Sequence, residues 1–214
     1  MKTESSALKK LTDEKSKVSS HYLIKKNGQI FTLVPDLYVA WHAGISSWNN
    51  FNALNKNSIG IEITNPGHSF GYIKFSKAQI LSLVKLSKFL IKKYDINIKN
   101  ILGHSDIAPD RKKDPGEKFP WKYLSKKKIG IWHQLDQKKL VKNRNVKIDE
   151  IKKNLFIKNL IKIGYSKNSK YLNVNKTRYK RIITKAFQRR FRPELIDGKI
   201  DQECFIISQN LIEI

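Results

Sequence analysis

The segment Gly103-His104-Ser105-Asp106-Ile107-Ala108-Pro109-Asp110-Arg111-Lys112-Lys113-Asp114-Pro115-Gly116 gathers an imidazole, several cations and a carboxylate in one punctuated stretch. His104 offers a neutral nitrogen and Asp114 an anionic oxygen, a pair suited to a divalent ion such as Zn²⁺. Pro109, Pro115 and Gly116 oppose a long helix or strand, so the pair is expected on a shaped loop. The two residues alone support a plainer alternative equally well: a histidine bonded to backbone and an Asp-Pro turn.

Glu62 is a second candidate, because it ends the apolar run Ser58-Ile59-Gly60-Ile61-Glu62, where an unpaired carboxylate would be costly. Its plain alternative is a glutamate paired with Arg111 or Lys112. These segments, with two more in the same order, resemble the type-2 N-acetylmuramoyl-L-alanine amidases, zinc enzymes that remove stem peptides from peptidoglycan. GHSDIAPDRKKDPG is similar to their metal loop, and SIGIE to their catalytic-glutamate strand. Ala40-Trp41-His42-Ala43-Gly44 is similar to their AWHAG segment, and Ser19-Ser20-His21-Tyr22-Leu23-Ile24 with Asn27-Gly28-Gln29-Ile30 to their strand-turn-strand. The matches span residues 19 to about 121.

The resemblance implies zinc bound by His104 and Asp114, with Glu62 as the base that activates water. It implies Lys112 as the cation on the oxyanion, although Lys113 lies one position away. His42, Trp41, Asn65 and His21 would contact substrate or hold the wall of its groove; His68 and His133 fall outside the motifs and are expected at the surface. The family's first zinc histidine sits on an opening strand, and Met1 begins just after where that strand should end. Two ligands rarely hold catalytic zinc well. The expectation is therefore a zinc amidase acting on peptidoglycan or muropeptides, with a non-catalytic peptidoglycan-binding derivative as the alternative.

Length and composition bound the rest. At 214 residues the chain has room for a large domain and a small one. The sole cysteine, Cys204, excludes an internal disulfide and makes thiolate ligation of a metal improbable. A formal charge of +25, from 43 basic and 18 acidic residues, calls for an anionic partner or a compositional cause. Lysines spread beside Ile and Asn fit A+T-rich coding; attraction to an anionic wall is the second explanation. No nucleic-acid motif accompanies the charge, so no nucleic-acid partner is expected. No run is apolar enough to span a bilayer, and MKTESSALKK lacks the apolar core of a secretory signal. A cell-envelope location follows from the family alone, and the oligomeric state is not legible.

The elements that must position these groups follow from patterning. Residues 2–17 allow one short helix with Leu8 and Leu11 on one face. Alternation from Tyr22 to Val34 predicts a hairpin turning at Asn27-Gly28. Ile59 to Ile63 reads as a buried strand ending in Asn65-Pro66-Gly67. Ser76 to Tyr94 is the clearest helix, with Ser76 and Gln79 as a capping box and Ile80, Leu83, Val84, Leu90 and Ile91 as its apolar stripe. Ile98 to Leu102 reads as a strand delivering His104.

Beyond Trp132 the texture turns basic and polar. Residues 1–133 are expected to form the amidase domain, 134–147 a linker and 148–214 a small domain of three helices: 148–163, 176–191 and one from Asp201. Ala186-Phe187-Gln188-Arg189-Arg190-Phe191 followed by Asp197-Gly198-Lys199-Ile200-Asp201 resembles the three-helix peptidoglycan-binding module; a generic helical cap is the alternative. The fold class is α/β, a mixed central sheet flanked by helices, with that C-terminal domain appended.

Overall fold

In the computed structural model, which describes residues 3–166 and 175–214, the chain falls into two units. One holds residues 1–46 and 52–100, the other residues 47–51 and 101–214.

The first unit begins with helix α1 (Glu4–Thr12), capped by Thr3 and Ser6 and burying Ala7 and Leu11. Strands β1 (Tyr22–Ile24) and β2 (Ile30–Thr32) pair antiparallel, Tyr22 opposite Thr32. Between them Gly28 takes φ +87°, which suits glycine, and an added Cβ would meet the Ala78 carbonyl at 2.9 Å. After β3 (Ser47–Trp48) and β4 (Phe51–Asn52), a short ribbon whose residues 47–51 belong to the second unit, strand β5 (Ile61–Ile63) runs parallel to β1, giving the order β2-β1-β5. As an edge of this sheet β5 is half-buried, whereas its apolar run predicted a buried strand.

Helix α2 (Lys77–Tyr94) starts at the Ser76–Gln79 capping box. It buries Leu83, Leu86 and Leu90 with Gln79 and Ser87, a stripe rotated slightly from the expected one; Ile80, Val84 and Ile91 are half-buried. Gln79 is buried because its amide donates to the Thr64 carbonyl at 2.7 Å, holding the chain beyond β5. The strand expected at 98–102 does not form. The Asn97 side chain accepts from the Lys99 amide at 2.9 Å and its carbonyl from the Asn100 amide at 2.8 Å, so a 3₁₀ turn wins over extension.

In the second unit, α3 (His104–Ile107) and α4 (Trp121–Ser125) flank the chemical loop. Residues 134–147 contain α5 (Gln137–Val141), which buries Leu140. Then come α6 (Glu150–Ile163), α7 (Lys176–Phe191) and α8 (Gln202–Ile212), with Asp149, Asn175 and Asp201 as side-chain N-caps. Helices α6 and α8 pack together, and Phe187 meets Phe156 and Phe191 with ring centroids 5.1 and 5.2 Å apart. Ile196 and Ile200 are half-buried.

The AFQ and DG segments meet directly. The buried Gln188 amide donates to Asp197 at 3.0 Å and to the Lys199 carbonyl at 2.9 Å, and accepts from the Gly198 amide at 2.8 Å. His133, expected at the surface, is 5 % exposed, packed beside Trp132. Among the described residues no helix is long and apolar enough to cross a membrane.

Candidate active site

Two backbone features close the loop of the second unit. Gly103 has no side chain where a Cβ would stand 2.6 Å from the Pro115 ring, and the Ser105 amide donates to the Asp114 carbonyl at 2.8 Å. His104, at the first residue of α3, and Asp114 thereby face each other, Nδ1 to Oδ2 at 3.1 Å. With metal–ligand bonds of about 2.0–2.2 Å, two tetrahedral ligands stand about 3.3 Å apart. The pair is therefore spaced both as a hydrogen bond and as two ligands of one ion.

His104 is 15 % exposed and Asp114 59 %, so the site opens on the carboxylate side. Partial burial pushes the Asp114 carboxyl up; the His104 hydrogen bond and the charges of His104 and Lys112 outweigh it and hold the group below the usual carboxylate range. That keeps it anionic, as a ligand must be. Lys112 is half-buried and Lys113 exposed, so of the two cations Lys112 is the one held against the loop.

Asp106, two positions after His104, escaped the sequence analysis. It accepts from the Gly103 amide at 2.8 Å, the Tyr165 hydroxyl at 2.9 Å and Arg190 at 2.6 Å. Arg190 also donates to the Ile101 carbonyl at 2.9 Å and lies over the Trp121 ring at 4.2 Å. Only an Asp within one turn of His104 hinted at this, since its partners stand far along the chain.

In the first unit the SSHYLI, AWHAG and SIGIE segments are tied to one another. Ser19 and Trp41 exchange bonds, the Ser19 amide to the Trp41 carbonyl at 3.1 Å and the Trp41 amide to Ser19 Oγ at 2.8 Å. Asn55 Oδ1 accepts from the amides of His42 and Ala43 at 3.1 and 2.7 Å. Gly60 is pressed against both histidines: its amide donates to His21 Nδ1 at 2.9 Å, and a Cβ there would meet the His42 ring at 2.3 Å.

His21 is 1 % exposed and uses both nitrogens on backbone, since Nε2 donates to the Tyr38 carbonyl at 2.9 Å. Its ring meets His42 edge-on at 5.4 Å, and Trp41 stands 52 % exposed beside them in sequence. Glu62 lies opposite Leu23 in the β5–β1 ladder and, with Thr64 and Asn65, lines a cleft of about 240 Å³. Asn65 braces that rim, donating to the Ile73 carbonyl and accepting from the Gly67 amide, each at 3.0 Å. Thus His21, His42 and Glu62 belong to the first unit, and His104, Lys112 and Asp114 to the second. Among the described residues no three His, Cys, Asp or Glu side chains gather as a metal-binding group.

Comparison with known proteins agrees with this organisation. A model of the N-acetylmuramoyl-L-alanine amidase family matches residues 1–117. The N-acetylmuramoyl-L-alanine amidase AmiD of Escherichia coli is 37 % identical over 220 residues, covering 97 % of this chain and 78 % of AmiD. The 1,6-anhydro-N-acetylmuramyl-L-alanine amidase AmpD of the same organism is 41 % identical over 105 residues, 49 % of this chain and 55 % of AmpD.

The fold superimposes on AmiD in complex with anhydro-N-acetylmuramic acid-L-Ala-D-gamma-Glu-L-Lys with a TM-score of 0.82 at 37 % identity, covering 98 % of this chain and 84 % of that one. AmpDh3 of Pseudomonas aeruginosa gives 0.83 at 33 % identity, covering 98 % and 87 %. A mixed sheet flanked by helices, the three segments tied together in the first unit and likeness along nearly the whole chain lead to one conclusion: the chain belongs to the N-acetylmuramoyl-L-alanine amidase family of peptidoglycan hydrolases.

Proposed function

We propose that this protein hydrolyses, with zinc, the amide bond between the lactyl group of N-acetylmuramic acid and L-alanine in peptidoglycan or its muropeptides. The observation that carries the metal assignment is the His104–Asp114 pair, 3.1 Å apart across the closed neck of one loop. An imidazole beside a carboxylate is a donor set that Zn²⁺ accepts. The ion, when bound, supplies Lewis acidity that polarises the scissile carbonyl and acidifies water.

The remaining chemistry falls to side chains. Glu62 takes the proton of the attacking water and passes it to the leaving alanine nitrogen. Lys112 lends its ammonium to the developing oxyanion, by analogy with an oxyanion-hole donor worth about 3 kcal/mol. His42, Trp41 and Asn65 position the muropeptide, while His21 supports the wall that carries them. The family's substrate suggests a cell-envelope location, and the C-terminal helices are assigned to the wall-binding part of the chain.

The test is release of L-alanyl peptide from an anhydromuramoyl tripeptide, with and without chelator, together with zinc content. Turnover that stops on chelation and returns with zinc is expected. Glu62→Gln should lower it by about 10²–10⁴ with zinc retained. Turnover indifferent to chelation overturns the metal reading. A second reading, wall binding without turnover, would be selected by adsorption to sacculi with neither zinc uptake nor cleavage.

A further inference from the structure

We propose that Arg190 and Tyr165, from the C-terminal helical segment, are positioning residues for the metal loop: acting through Asp106, they hold His104 and Asp114 at ligand spacing. The proposal rests on His104 and Asp114 being the zinc ligands, and it gives the C-terminal helices a part in shaping the metal loop besides the wall-binding role assigned to them.

The connection is continuous. Arg190, in the last turns of α7, and Asp106, inside α3, are both almost wholly buried and bond at 2.6 Å across 84 positions of sequence. Asp106 carries the Tyr165 hydroxyl on its other oxygen and, on the oxygen that meets Arg190, the Gly103 amide. Arg190 fixes the approach to the loop through the Ile101 carbonyl, and Trp121 stacks on its guanidinium from beyond the loop. The start of α3 is therefore held by a planar fork and a phenol. The Ser105 amide, one residue from His104, then pins the Asp114 carbonyl at 2.8 Å.

Stability alone does not explain such a pair. A buried ion pair has to overcome the desolvation of both charges, and a well-packed apolar replacement is often as stable. Here, moreover, the Arg190 Nε is buried without a partner. What the pair offers that leucine would not is direction: one arm of the Arg190 fork holds Asp106 Oδ2 and the other the Ile101 carbonyl, the Tyr165 hydroxyl holds Oδ1, and the carboxylate fixes the backbone that precedes His104. Residues that orient metal ligands commonly change affinity 10–100-fold when removed.

Arg192 supplies the control. It is buried to the same degree in the same segment, but bonds Asp201 and Asp197 instead of the loop. Zinc affinity, measured on the full chain by competition with a chromophoric chelator, should weaken about 10–100-fold in Arg190→Met and less in Tyr165→Phe, which keeps the ring packing. Arg192→Met should stay within about twofold of the parent while losing thermal stability. Hydrogen exchange of the metal-free proteins should rise over residues 103–116 in Arg190→Met and not in Arg192→Met. Equal changes in the two arginine variants, or none in Arg190→Met, would overturn the proposal. A parent protein that takes up no zinc would instead overturn the metal reading, and the exchange measurement would still decide whether the loop is braced.

Discussion

Gly103→Ala isolates the closure of the metal loop from every other property of the chain. Gly103 has φ −88° and ψ 157°, an extended conformation alanine adopts freely, so the backbone itself is not strained. The new Cβ would stand 2.6 Å from Pro115 Cδ, 3.3 Å from Trp121 Cζ2 and 3.4 Å from Asp106 Oδ2. Carbon atoms rest about 3.5–4.0 Å apart, so the first contact overlaps by about 1 Å. The proline ring is rigid and bonded directly to Asp114; yielding to the methyl means moving Asp114.

Overpacking of this size costs about 1–3 kcal/mol, while the stiffer unfolded chain returns about 0.4–1 kcal/mol, leaving a net loss of at most about 2.6 kcal/mol. If the displacement falls on the His104–Asp114 pair, the full overpacking strain of about 1–3 kcal/mol is read in binding, and zinc affinity drops by roughly 5–150-fold with little change in the urea midpoint. If the helices give way instead, the midpoint falls and affinity is kept. A chelator titration and a urea melt on the same samples separate the two. An unchanged result in both would show that Pro115 is not the tight neighbour this geometry requires, and would remove the closed neck from the account of the site.

Three further outcomes follow from single contacts. Burial, helped by the charge of Lys122 and opposed by a backbone bond from Phe191, pulls the His133 pKa from 6.5 down to about 4. Between those values the unfolded chain holds a proton that the folded one refuses. The resulting stability, on the order of 3 kcal/mol, is whole above about pH 6.5 and drains away toward pH 4; urea midpoints of His133→Gln should fall less steeply across that window. Gln188→Met keeps the side-chain volume but strands the Gly198 amide and the Lys199 carbonyl, and should cost about 2–3 kcal/mol by urea melt while sacculus binding of the folded protein stays unchanged. Lys112→Met should lower kcat by tenfold or more and Lys113→Met leave it near the parent value, since the half-buried cation and the exposed one are adjacent but differently held.

What the chain disclosed by inspection was local. The Asn27-Gly28 turn and the Ser76–Gln79 capping box are governed by residues a few positions apart, and they formed where expected. The failures share a cause. Ile98 to Leu102 has a strand's composition, but Asn97 offers the backbone nearer partners than a neighbouring strand could. Ile59 to Ile63 looks interior because nothing in its pattern distinguishes a strand flanked on both sides from one at an edge. His133 was assigned to the surface for want of a motif, although burial needs none: Ile129 and Ile131 just before it are core residues.

The basic composition hid more than it revealed. The run Arg189-Arg190-Phe191-Arg192 adds to the chain's basic excess, yet its three arginines are 8, 3 and 1 % exposed. A buried arginine is tolerated only where anions meet it. Those of Arg192 lie nearby, at Asp197 and Asp201, but that of Arg190 is Asp106, beside the candidate metal ligand and 84 positions away. No window of sequence can contain both members of such a pair. The AFQ and DG segments make the complementary point: their spacing invites a ligand-binding interpretation, and in the folded chain Gln188 uses it to join the end of one helix to the approach of the next. A motif therefore carries the family without carrying the role of each residue, because the same side chain can serve a ligand or the fold, and only its partners distinguish them.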